Sequence, residues 1–252
     1  MTTLPEQSEL YPDVLALGSL AAALQKVAVE NGLELGDVEA SQSMPLHWAN
    51  VDSTTPRRDS LAIRAASERR EWSVGGWGLG IELISGGWTE DLAAVAAVAD
   101  AWRAGTPVVE IRRTWPFIKL NHRGEVAEQG PAAVVTAQWE WMRRQAEESG
   151  WPEHRALIEA AYAEPKLRQL YAYTSMWQLR FSTNVGWPFS PSPTAMLAPY
   201  EDGAYEVTWP TVPDAAEAAT PEEAVALAVQ QLPPNLSPAV EGDSPAPEDN
   251  AG

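Results

Sequence analysis

The chain has 252 residues, 45% of them apolar and 8% aromatic, which is ample for a buried core and too apolar for gross disorder. Its formal net charge of −18 is unevenly placed: residues 57–180 hold sixteen acids and sixteen bases, whereas eleven acids and no base follow Arg180. Nucleic acid and anionic membrane surfaces need clustered Lys and Arg, so neither is an expected partner, and the lack of cysteine excludes disulfides, a thiolate nucleophile and Cys-ligated metals.

The N-terminal residues lack the basic start and apolar run of a secretory signal, and no run of about 18 apolar residues occurs, so a soluble, cytoplasmic protein is expected. Val14, Leu17, Leu20, Leu24 and Val27 recur at helical spacing after Pro12-Asp13 and predict one helix that stops near Gly32. Residues 33–58 suit irregular structure with at most one short strand. Residues 61–65 and 72–84 read as strands, the second broken by the glycines of VGGWGLG. Thr89 is the expected N-cap of a helix with the stripe Leu92, Val95, Ala99 and Trp102, ended by Gly105.

Residues 120–130 show no clear period. After Pro131 a third helix faces inward through Val135, Trp139, Met142 and Ala146, and a fourth, over residues 152–163 between two prolines, through Leu157, Ile158, Ala161 and Tyr162. One or two short turns are expected over 165–173. MWQLRFS then alternates as a strand with Trp177, Leu179 and Phe181 inward, a proline-rich loop WPFSPSP follows, and the turn EDG leads to a strand with Tyr205, Val207 and Trp209 inward. Thr220-Pro221-Glu222-Glu223 is a capping box that opens a helix with Val225, Ala228, Val229 and Leu232 inward.

These elements predict a single α+β domain over residues 1–232, with one or two small antiparallel sheets packed on four to five helices, and a disordered acidic Pro/Ala-rich tail over 233–252. Residues 72–105 and 205–232 share one plan, which fits a degenerate strand-strand-helix duplication.

GGWGLG fails as a dinucleotide loop, since a G-x-G-x-x-G spacing would need glycine where Ile81 or Leu83 stands. There is no G-x-x-x-x-G-K-[ST], G-x-S-x-G or H-E-x-x-H. His47, His122 and His154 are isolated and read as surface or capping residues, so no metal site and no cofactor are expected. Twelve tryptophans are the most unusual feature. Trp72, Trp77, Trp102, Trp139, Trp177 and Trp209 fall on inward faces, whereas Trp115, Trp141, Trp151 and Trp187 do not. Trp115 and Trp187 each begin a WPF triplet, and aromatics held on stiff X-Pro turns suit an apolar ligand or peptide. Trp115, Phe117, Trp141 and Trp187, with Arg113 and Arg180, are therefore the candidate ligand-binding residues. Glu82, Glu140 and His122 interrupt or border apolar sequence and are the candidate proton carriers.

The segments YPDVLALGSLAAAL, SGGWTEDLAAVAAVADAWRAG, EAAYAEPKLRQLYAYTSMWQLRFS and the WPF triplets resemble an actinomycete (Streptomyces-type) family of unknown function linked to natural-product biosynthesis. The resemblance implies a role in secondary metabolism and transfers no catalytic residue. The leading expectation is an accessory protein that holds a peptide, a pathway intermediate or a partner enzyme on exposed aromatics. A cofactor-independent cyclase, isomerase or hydrolase is the second reading, and an immunity-type protein that binds a basic partner is the third.

Overall fold

The computed structural model of the protein describes residues 7–190, 195–200, 203–210 and 214–242. The first of two compact units, Met1–Glu125, begins with α1 (Gln7–Leu10), α2 (Pro12–Leu17) and α3 (Leu20–Asn31). The stripe that predicts one helix is divided, because Gly18 takes φ +83° and ends α2, and the Ser19 hydroxyl restarts the chain by accepting the Ala22 N–H at 3.0 Å. The break leaves Leu17 exposed, while Leu20 and Leu24 are buried as expected.

A seven-stranded antiparallel sheet follows in the order β1 (Val38–Ala40), β2 (Trp48–Val51), β3 (Leu61–Ala65), β4 (Trp72–Gly78), β5 (Ile81–Gly86) and β7 (Lys119–Leu120), with β6 (Trp88–Thr89) on β4. Two strands thus occupy the stretch expected to be mostly irregular. Residues 72–84 are a hairpin rather than one broken strand, turned by Leu79 and Gly80 at φ +56° and +70°. Gly76 is explained by packing: a Cβ there would come within 2.6 Å of the Trp102 ring, which lies against the strand.

Trp102 is carried by α4 (Leu92–Arg103) and is fully buried; its indole N–H donates to the Asp59 carbonyl at 3.0 Å and the Arg58 guanidinium covers its ring. The N-cap of α4 is Asp91, which accepts the Ala93 and Ala94 N–H groups at 2.8 and 3.1 Å. Thr89, the expected cap, lies in β6 and accepts the Asp91 N–H instead. α5 (Val108–Thr114) completes the unit's helices.

The second unit, Val126–Gly252, starts with a 3-10 turn (Ala127–Gln129), then α6 (Pro131–Glu148), α7 (Pro152–Ala163) and α8 (Pro165–Arg168). Its five-stranded antiparallel sheet runs β12 (Ala216–Ala218), β11 (Tyr205–Thr208), β10 (Met196–Pro199), β9 (Gln178–Ser182), β8 (Tyr171–Ser175), and α9 (Pro221–Gln230) follows β12 in the chain. α6 and α7 occupy the ranges the prolines predict. The capping box of α9 forms with one change: Thr220 accepts the Glu223 N–H at 3.1 Å, while the Glu223 carboxylate accepts from Ala219, one residue before the cap. The core is Trp139, Phe181, Leu179, Leu197, Val207, Leu157 and Ala228, all at most 1% exposed.

Both units pair antiparallel sheets with helices, so the α+β class is the one found. A single cooperative domain is a proposal: limited proteolysis that removes only the acidic tail supports it, and early cutting between Gly105 and Pro131 into two stable halves overturns it. Residues 233–242, expected in the tail, are instead placed against the unit, where Ala239 donates to the Gln169 carbonyl after α8 at 3.0 Å. Residues 243–252, and parts of the WPFSPSP and EDG stretches, lie outside the described residues. Of the tryptophans expected inside, Trp72, Trp102 and Trp139 are buried, but Trp77 and Trp177 are 44% and 57% exposed. Trp177 is not in a strand: Ser175 pairs with Gln178, so Met176 and Trp177 are the two central residues of a tight hairpin turn, both with positive φ.

Candidate functional site

The antiparallel register of β8 and β9 sorts their residues onto two faces. Ala172 opposite Phe181 and Thr174 opposite Leu179 form the inner face, where Trp139 packs on Phe181 and the Gln138 amide donates to the Ala172 carbonyl at 2.9 Å. Tyr171 opposite Ser182, Tyr173 opposite Arg180 and Ser175 opposite Gln178 form the outer face. The chain then folds back over this outer face as a loop.

Asn184 fixes that loop. Its side-chain carbonyl accepts the Ser190 N–H at 2.7 Å and the Ser182 hydroxyl at 2.6 Å, and its amide donates to the carbonyls of Gly186 and Pro188 at 3.0 Å each. Val240 braces it from the other side, donating to Thr183 at 2.9 Å and accepting from Val185 at 3.0 Å. The loop thereby lays Phe189 on Tyr173 at 4.5 Å between ring centroids and on Tyr171 at 5.2 Å, and sets Trp187 edge-on to Phe189 at 5.6 Å. Trp187 is 60% exposed and is joined to Pro188 by a cis peptide bond.

Beside this row of rings stands Arg180. Its Nη2 donates to Gln178 Oε1 at 2.6 Å, while its Nε is buried and has no hydrogen-bond partner. A buried guanidinium N–H left unpaired is costly, and a planar anion is the group that best completes its fork. The outer face thus combines a presented indole, a stacked phenyl and phenol, and an arginine whose Nε is buried and unpaired. It can take a group that carries both an aromatic or apolar body and a carboxylate.

The structure brings together Trp187 and Arg180 from the sequence candidates and adds Phe189, Tyr173 and Gln178. Tyr173 is legible only once its pairing partner is known, and Phe189 has a sequence signal in the WPF triplet that begins at Trp187. Trp141 lies half-buried on α6, on the wall of a different cavity, and Glu140 is exposed on the same helix. The premise that Glu140 sits in apolar surroundings is therefore not met, because the helix's step of about 100° per residue turns the neighbour of buried Trp139 toward solvent.

The other candidates belong to the first unit. Trp115 follows α5 half-buried, Phe117 is half-buried, and Arg113 is exposed. Glu82 on β5 is half-buried, and the Asn121 amide reaches its backbone and side-chain oxygens at 2.9 and 3.4 Å, which puts Glu82 beside the turn that contains His122. The same unit holds a cavity of about 640 Å³ bordered by Trp48, Arg64 and Trp88, where Arg64 covers Trp48 and the Trp48 N–H donates to Asn50 at 3.1 Å.

Among the described residues no group of His, Asp and Glu side chains is placed to hold a metal ion, and no helix is long and apolar enough to cross a membrane. No curated protein and no solved structure matches the chain. Residues 133–243, which lie wholly within the second unit and include the entire ring row with Arg180, match a family of unknown function, DUF6193.

Proposed function

We propose that the protein is an accessory binding protein, and that the outer β8–β9 face of its second unit docks an aromatic or apolar group next to a carboxylate, as a peptide or a pathway intermediate presents them. The observation that carries this reading is the Arg180 Nε, buried and unpaired beside Tyr173 in a chain of net charge −18. Acids are abundant, yet among the described residues none pairs with this arginine. A cytoplasmic role in natural-product biosynthesis is part of the same proposal and rests on the sequence resemblance.

Titration of the full chain with N-acetylphenylalanine, followed by calorimetry and by the Arg180 Nε–H resonance, tests the reading. Saturable binding that weakens at least tenfold for the corresponding primary amide supports it, and Trp187→Ala should cost about 2 kcal/mol if the indole is a hot spot. Equal affinity for acid and amide, or an unmoved Arg180 resonance, overturns it.

A further inference from the structure

The turn end of the β8–β9 hairpin forms part of a second feature, on the face opposite Arg180. His154, in the first turn of α7, is 6% exposed, and both ring nitrogens are buried without a protein hydrogen-bond partner. A neutral imidazole has one N–H to give and one nitrogen that accepts, and leaving both unmet in the interior is costly. Two indoles pack against the ring: Trp151 lies 5.9 Å away and Trp177, nearly perpendicular to the imidazole, 5.6 Å away, with the two indoles 5.4 Å from each other. The edge of the ring that carries the nitrogens meets no hydrogen-bonding group of the protein.

That histidine borders a half-enclosed cavity of about 300 Å³, at the small end of the range that holds organic ligands. Trp141, Met142 and Trp177 supply apolar walls, and Gln145 and Thr174 supply polar ones. Burial pushes the His154 pKa below its ordinary value, and the N-terminal end of α7 also disfavours an imidazolium, so the neutral ring is the form present at pH 7. Glu148 also borders the cavity, but its carboxylate already accepts the Gln145 amide at 3.0 Å.

We propose that this cavity is a binding site for a small uncharged phenol, its flat ring packed on Trp141 and Trp177 and its hydroxyl donating to the unpaired acceptor nitrogen of His154. Of the polar residues on the wall, His154 is the one whose buried nitrogens lack a partner, and the two indoles beside it favour a guest with a flat body and one hydroxyl. The site is separate from the Arg180 face and does not depend on it.

The test uses the full chain with 4-ethylphenol, ethylbenzene and phenyltrimethylammonium as probes, read by calorimetry and by the ring-nitrogen resonances of His154. The expected result is one 4-ethylphenol per chain, bound at least tenfold more tightly than either other probe, with a shift of the His154 resonances. His154→Phe should lower 4-ethylphenol to the affinity of ethylbenzene and leave ethylbenzene unchanged, and Arg180→Met should alter neither. If His154→Phe does not fold by circular dichroism, Trp141→Ala takes its place and should weaken both neutral probes at least tenfold. The proposal is overturned by unchanged 4-ethylphenol affinity in His154→Phe or Trp141→Ala, by tightest binding of the cation, or by the absence of binding with static His154 resonances, the outcome expected if only water meets the nitrogens.

Discussion

Two aromatic–arginine clusters of the second unit use the same residue types and end in opposite states. Between α6 and α7, Arg143 makes a two-pronged pair with Glu159 at 2.8 Å on both contacts and lies over Tyr162 at 4.4 Å, while Trp139 packs on Tyr162 and donates to the Leu170 carbonyl at 3.3 Å. The hydrogen bonds that Arg143 donates to the Glu159 carboxylate hold the arginine pKa above its ordinary value. On the outer sheet face Arg180 has only the neutral Gln178 and an unmet Nε. The first cluster is saturated and joins elements of the fold; the second is left incomplete. His154 repeats the second pattern in a different place. If the two unsaturated groups bind ligands as proposed, what sets them apart from Arg143 is an unmet donor or acceptor rather than residue type.

The saturated cluster should carry the larger stability effect. Trp139→Ala removes a fully buried indole against Phe181 and Tyr162 and should cost about 3–5 kcal/mol in urea unfolding; a loss below about 1 kcal/mol would mean that α6 is not part of the core. His154 should have a smaller effect that depends on pH. Because burial lowers its folded pKa, the unfolded chain takes up a proton near pH 6.5 before the folded chain does. The contribution of this histidine is therefore complete above about pH 6.5 and is lost as the pH falls toward the folded value, by at most about 1.4 kcal/mol per pH unit. Urea unfolding at pH 7.5 and 5.5 should show this loss in the native chain and not in His154→Phe; parallel losses would show that the histidine titrates normally.

Most of the helices could be read from the sequence, because prolines, caps and 3.6-residue stripes are local signals: α6, α7 and α9 lie where their text places them. The first helix was misread because a stripe can continue in register across a break, and only Gly18 with Ser19 marks it. The sites were less legible, for a different reason. Alternation placed Trp177 in a strand, but two-residue turns with positive φ at both positions ordinarily carry Asn-Gly, and Met-Trp gives no such sign. The status of His154 depends on Trp151 and Trp177, the latter 23 positions away, so no spacing rule could separate it from a surface histidine. Arg180 was singled out from its place between Leu179 and Phe181, while its partners Tyr173 and Phe189 required the pairing register.

The turn itself is informative because a bulky residue in the left-handed region costs free energy. Met176 has φ +49° and is 85% exposed, so its side chain makes little of the packing that would offset this cost. Met176→Asn should stabilise the chain by about 0.5–1 kcal/mol in urea unfolding, and it should leave 4-ethylphenol binding unchanged because Trp177 keeps its place. A destabilised variant would show that Met176 is held by contacts rather than tolerated.

The smallest stability effects give the most direct test of the contrast between the two arginines. Arg143→Met breaks a two-pronged pair whose side chains are 39% and 42% exposed, so solvent screening limits the loss to about 0.5–1 kcal/mol. Arg180→Met removes a guanidinium that lacks an ionic partner and exchanges it for an apolar chain of similar length. Its stability should change by less than about 0.5 kcal/mol, or rise, because an unpaired buried donor is lost together with the charge. Binding should show the reverse order. N-acetylphenylalanine should bind Arg143→Met as it binds the native chain and should bind Arg180→Met at least tenfold more weakly. Paired urea and calorimetric measurements on the two variants decide the matter: if Arg180→Met costs more stability than Arg143→Met, then Arg180 is a structural residue and the outer face is complete without a ligand.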